Sequence, residues 1–212
     1  TNIGRSILEV VGVDKKDETD LLLLAVEQLN VGTSPSTESV VEHVRLNRSA
    51  ARLAVKKRAF CCASWYLEVA QGYVAQAGNA PLWKKDYELL MDLHQLAVWV
   101  AYSRNKESAA KKLSAECFAH ARSTLDKVDI RLREIEYQSV SGKSSEGLEK
   151  ALHVLEELDE KLPRKPGKGL LDSVQSKKVK KMSDGALLGL SPMSDPDKLA
   201  CMKVLSWIVA LA

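Results

Sequence analysis

The stretch "AFCCASWYLEVAQGYVAQ" at Ala59–Gln76 carries two adjacent cysteines, a Trp-Tyr pair and small residues set among large ones. It reads either as the wall of a metal or redox site or as one helix of a closely packed stack. Its periodicity favours the stack. Ala59, Ala63, Tyr66, Ala70, Tyr73 and Ala77 step by four and three alternately, which places them on one helical stripe. Phe60, Leu67 and Val74 form a second stripe, so this helix needs neighbours on more than one side. The alanines of the first stripe let another helix approach closely. Cys61 and Cys62 point about 100° apart on a helix and do not face one ion together. With Cys117 and Cys201 they offer no Cys-x-x-Cys or Cys/His spacing, and all four read as small hydrophobes in a reducing compartment.

Working outward, nearly every segment repeats the helical period. Upstream, Leu21–Leu29 and a segment over 38–55 read as helices, separated by "NVGTSPST", in which Ser36 or Thr37 is placed to cap the second. Downstream, one helix is predicted from Trp83 to Ser103. Tyr87, Leu90, Met91, His94, Ala97, Val98 and Ala101 share one face, and Leu89, Leu93, Leu96 and Val100 another. Pro81 suits a first turn. A further helix carries Ala110, Leu113, Cys117, Ala121 and Leu125. A last pair carries Val128, Leu132 and Ile135, then Leu148, Ala151, Leu152, Leu155 and Leu158, with Gly142 breaking the chain between them. Short isolated helices are marginal in water, so each depends on its neighbours. The fold class is therefore all-α, with antiparallel helix pairs stacked as an α-solenoid.

The seam is "KLPRKPGKG" at Lys161–Gly169, which has two prolines, two glycines and no apolar period. It divides a helical-repeat region, 1–162, from a linker, 163–169, and a C-terminal helical subregion, 170–212, whose last helix begins near Asp195 or Pro196.

Composition sets the limits on function. The 212 residues are 45% hydrophobic, 28% charged and only 5% aromatic, as in a globular helical protein. A formal charge of +3 is too small by itself for a nucleic-acid surface. No apolar run reaches the roughly 18 residues of a membrane span, and the first residues do not read as a signal peptide, so a cytoplasmic location is expected. The start at Thr1 and the apolar close at Trp207–Ala212 suggest a segment of a longer protein.

The candidate chemistry is thin. "PGKG" at Pro166–Gly169 lacks the leading glycine and the Ser or Thr of a phosphate-binding loop. His43, His94, His120 and His153 lie on different predicted helices, and His94 reads as a hydrogen-bonded core residue. No serine sits in a nucleophile elbow, and Glu156, Glu157, Asp159 and Glu160 read as a solvated helix back. Trp65, Trp83, Trp99 and Trp207 read as packing anchors. No catalytic residue, metal or cofactor is expected. The strongest charge feature is "SKKVKKM", where Lys177, Lys178, Lys180 and Lys181 form a possible anion-binding patch, although no interleaved aromatic is there to stack bases.

An ordered series of stretches carries a resemblance: "IGRSILE", "AVEQLNVG", "LNRSAARLAVKKRAFCCASWYLEVA" and "WKKDYELLMDLHQLAVWVAYSRNKESA", then "LDKVDIRLREIEYQSVSGK", "ALHVLEELDEKLPRKPGK" and "MSDPDKLACMKVL". Together they cover almost the whole chain. The sequence resembles the tetratricopeptide-like helical region of large multidomain signalling proteins that combine a protein-kinase-like domain, an AAA-type ATPase and often a GAF domain with a histidine kinase. The resemblance implies a non-enzymatic connector or protein-interaction module, whose partner is a neighbouring domain or a peptide held mainly by inner helices. It transfers no catalytic residue. A free-standing adaptor or nucleic-acid-binding protein using Lys177–Lys181 is the rival expectation.

Overall fold

The computed structural model describes residues 2–11, 20–32, 39–160, 162 and 181–211, and every regular element among them is a helix. The chain divides into two compact units, Thr1–Arg122 and Ser123–Ala212. This boundary falls inside the stretch that the sequence assigns to one repeat region. The expected linker at 163–169 lies outside the described residues.

The first unit holds α1 (Asn2–Val11), α2 (Asp20–Asn30), α3 (Val40–Lys56), α4 (Phe60–Ala77), α5 (Asn79–Lys85), α6 (Tyr87–Ser103) and α7 (Glu107–His120). α1 packs on α2 at Gly4, where an added Cβ would meet the Ala25 carbonyl oxygen and Leu29 Cγ at 2.8 Å. α3 and α4 form an antiparallel hairpin, because His43 near the start of α3 meets Tyr73 near the end of α4 edge-on at 5.7 Å. The stripe predicted on α4 is the buried one: Ala63, Tyr66, Ala70 and Tyr73 are all buried, and so are Leu67 and Val74. Ala50, Ala51 and Ala54 give α3 a matching buried row of small side chains. Both predicted faces of α6 are buried as well, since it packs against α3, α4, α5 and α7.

Polar side chains tie these helices together. Asn30 and Asn47 exchange amide hydrogen bonds of 2.8 and 3.0 Å, and Tyr73 donates to the same Asn30 oxygen at 3.3 Å. One turn earlier on α2, Glu27 accepts from the Tyr66 hydroxyl at 2.9 Å; burial, then this bond, pushes that phenol well above its usual pKa. Arg48 and Arg52 both reach Asp92, and Arg45 reaches Asp86, which spans α3 to the head of α6.

Two boundaries differ from expectation. The helix predicted over 83–103 is broken at Asp86, whose φ of −125° and ψ of 49° leave the helical region, so Trp83 belongs to α5. The helix predicted through Leu125 stops at His120. Ser123 and Asp126 form a reciprocal capping box that starts the next helix, and Leu125 lies in its first turn.

That helix, α8 (Thr124–Val140), opens the second unit with α9 (Ser144–Glu157), the short α10 (Asp184–Leu188) and α11 (Pro196–Leu211). Ion pairs Arg131–Glu157 and Lys150–Glu134 set α9 antiparallel to α8. α11 lies on both, with Lys198 paired to Glu160 at one end and Leu211 against Gly147 at the other. Three helices thus share one apolar core of Val128, Leu132, Ile135, Ala151, Val154, Leu155, Ala200, Cys201 and Val204.

One turn recurs three times. Lys57-Arg58-Ala59, Arg104-Asn105-Lys106 and Ser141-Gly142-Lys143 each join two helices with three residues, the middle one left-handed at φ 61°, 57° and 75°. In each, the third residue donates to a carbonyl five positions back, at Ala54, Ala101 and Gln138, within 2.8–2.9 Å. This is the hydrogen bond that closes a Schellman-type helix end. Glycine takes this conformation without the clash a Cβ brings. Arg58→Gly is therefore expected to stabilise the chain by about 1 kcal/mol in urea unfolding, and a loss of stability would show that the Arg58 side chain has a compensating role.

Candidate interaction groove

The exposed side of α4 carries a line that the buried stripe leaves over. Ser64, Glu68 and Gln71 fall on one face at helical spacing, with Leu67 beneath them. Ala97, Val100, Ala101 and Arg104 give α6 a parallel line of mostly small side chains. Lys106, Ala109, Lys112 and Leu113 supply the third line, from the turn and α7. Between the three lies a groove of about 470 Å3, within the size range of ligand clefts. Its walls come from α4 and α7, the second helices of two successive hairpins, and its floor from α6.

The groove's polar groups are partly organised. Arg104 Nη1 donates to Ser64 Oγ, which donates to Glu68 Oε1 at 2.7 Å. This chain fixes Arg104 on one wall and orients the only carboxylate among the lining residues. Gln71 Nε2 is buried without a hydrogen-bond partner among the described residues. Lys106 and Lys112 are exposed and form no ion pair among the described residues, whereas neighbouring Lys111 is held by Glu107 at 2.6 Å. Three cations therefore face one carboxylate across an apolar floor. No aromatic side chain lines the groove.

Elsewhere, the expected features are scattered. Lys177, Lys178 and Lys180 lie outside the described residues, and Lys181 is exposed in the turn before α10. His94 is buried, with Nδ1 2.8 Å from the Leu90 carbonyl oxygen and Nε2 3.4 Å from Glu116. It is the hydrogen-bonded core histidine that its stripe predicts. His120 and His94 both pack on Trp83, at 4.2 and 5.1 Å between ring centroids, whereas His43 bonds the Ser39 carbonyl oxygen and His153 is near Glu157. Among the described residues, no group of His, Cys, Asp and Glu is placed to hold a metal ion. No described helix is long and apolar enough to cross a membrane.

The cysteines divide. Cys117 and Cys201 are buried, and burial pushes the Cys117 thiol up to about 12. Cys61 and Cys62 are exposed, which corrects their reading as core filler: they precede Ala63, and of the three only Ala63 falls on the buried stripe. Trp65 is likewise 42% exposed and not the packing anchor expected of it, while Trp83 is buried.

Comparison with models of protein families, with curated proteins and with solved structures found no match. The groove's chemistry must therefore be read from its own residues. The sequence alone does not single out Gln71, Arg104, Lys106 or Lys112. Their signal was present as the helical spacing of 64-68-71 and 97-101-104, but "SRNKES" reads as a plain polar turn until the hairpin folds it beside α4.

Proposed function

We propose that this chain is a non-catalytic helical-repeat module that docks a peptide or a neighbouring domain within a large signalling ATPase or kinase. The observation that carries the reading is the α4–α6–α7 groove, whose apolar floor and under-paired donors are suited to a polypeptide. The tetratricopeptide-like solenoid arrangement belongs to the same proposal. It is supported by three hairpins closed by one turn geometry and by the ordered resemblance along the chain. Hairpins of one kind stack by repeating one interface, and such arrays present extended surfaces rather than a single deep active site.

Two measurements test this reading. The reading frame encoding Thr1–Ala212 is expected to carry ATP-binding and kinase motifs on its flanks, and a frame with neither overturns the parent setting. Supplied with magnesium and ATP, the purified chain is expected to release phosphate at the buffer rate. Sustained turnover overturns the non-catalytic reading.

A further inference from the structure

We infer that the occupant of the α4–α6–α7 groove is an acidic, extended peptide segment in which Asp or Glu alternates with small apolar residues. This rests on the reading of the groove as a docking site and names the chemistry of its partner.

Charge is the first argument. Arg104, Lys106 and Lys112 line the groove against Glu68 alone, and Ser64 already bonds Glu68. The three arginines of α3 have carboxylate partners, Arg45 in Asp86 and Arg48 and Arg52 in Asp92, and so do Lys57, in Asp20, and Lys111 beside the groove, in Glu107. Among the described residues, Lys106 and Lys112 thus stand at the groove without the carboxylate partner that neighbouring Lys111 has. A ligand carboxylate would complete the pairing, with exposed lysines contributing on-rate and selectivity more than depth of binding.

The second argument is the amide. Gln71 Nε2 is buried among groove-lining atoms with no acceptor, and leaving such a donor unmade is costly. An extended backbone offers carbonyl oxygens all along its length, whereas a helix has spent its own internally. Size is the third. The floor of Ala97, Val100 and Ala101, with Ala109 on the α7 wall, accepts small apolar side chains between the charged ones. Alternate residues of an extended strand point to opposite sides, so one set faces this floor while the backbone between them reaches Gln71. The lack of aromatics in the lining disfavours a single-stranded nucleic acid, whose bases need stacking platforms.

The test uses fluorescence anisotropy of short labelled peptides on the purified chain: Asp-Ala-Glu-Ala repeats, Ser-Ala-Gln-Ala repeats, Lys-Ala-Arg-Ala repeats and, separately, oligouridylate. The acidic repeat is expected to bind most tightly and to weaken as salt is raised. The double variant Lys106→Glu/Lys112→Glu, which changes only exposed side chains, is expected to weaken it about tenfold or more. Ala109→Phe, also at an exposed position, fills the groove without altering charge and is expected to abolish binding. Far-UV circular dichroism shows whether each variant keeps its helices. Neutral repeats binding as tightly as acidic ones overturn the acidic occupant while leaving a docking groove. Acidic binding indifferent to Ala109→Phe places the site elsewhere and overturns the inference. Oligouridylate binding lost in the double variant overturns it in favour of nucleic acid. Absence of binding by every peptide class overturns both this inference and the docking function.

Discussion

Asn47→Leu is expected to destabilise the first unit by about 3 kcal/mol, although leucine is the more apolar residue at a position only 1% exposed. The Asn47 amide donates to Asn30 Oδ1 and, at 2.9 Å, to the His43 carbonyl oxygen, while its own oxygen accepts from Asn30. Leucine would leave the Asn30 amide facing hydrocarbon, with Tyr73 as its remaining side-chain partner. Such a network costs more to break than to omit. The double variant Asn30→Leu/Asn47→Leu, which removes both partners, should therefore recover part of the loss. Urea unfolding of the two singles and the double closes the cycle. A single-variant cost below about 1 kcal/mol, or strict additivity, would show that the pair contributes little to holding α2 on α3.

The second large effect lies in the other unit. Ile135→Ala is expected to cost about 4 kcal/mol, and Ile135→Val about 1 kcal/mol. Ile135 is fully buried where α8, α9 and α11 share one core with Ala151, Val154, Leu155 and Val204. A site bounded on several sides collapses poorly when its side chain is cut back, so a cavity term adds to the lost transfer energy. Hydrogen exchange in α8 and α9, combined with denaturant unfolding, reads the effect. Equal costs for the two substitutions would mean that the core relaxes around the void.

Long periodic elements were legible in the sequence because their burial is governed by spacing alone. Ala63, Tyr66, Ala70 and Tyr73 follow from one stripe, and the two faces of α6 from two. Breaks were less legible where their cause is not a glycine or proline. Gly142 announces its turn and "SRNKES" reads as one around Asn105, whereas nothing in Arg58 itself marks the left-handed geometry it adopts. Asp86 interrupts a run of unbroken helical period at the point where its carboxylate meets Arg45, a residue far away in the chain. The cysteines misled for a related reason: residue type predicts average burial, whereas Cys61 and Cys62 are exposed by their phase on α4. The groove was hidden for the reason most sites are. Its lysines, its arginine and its glutamine lie on three segments that only the hairpins bring side by side.

The exposure of Cys61 has a practical consequence. It continues the line of Ser64, Glu68 and Gln71 toward the head of α4, at the same angular position as the groove wall. Native chemistry thus provides an attachment point for a dye or spin label at the mouth of the cleft. The buried thiols of Cys117 and Cys201 are shielded from the reagent. With Cys62 changed to serine, a single reporter would register an arriving ligand directly, without a foreign residue being introduced into the packed interior.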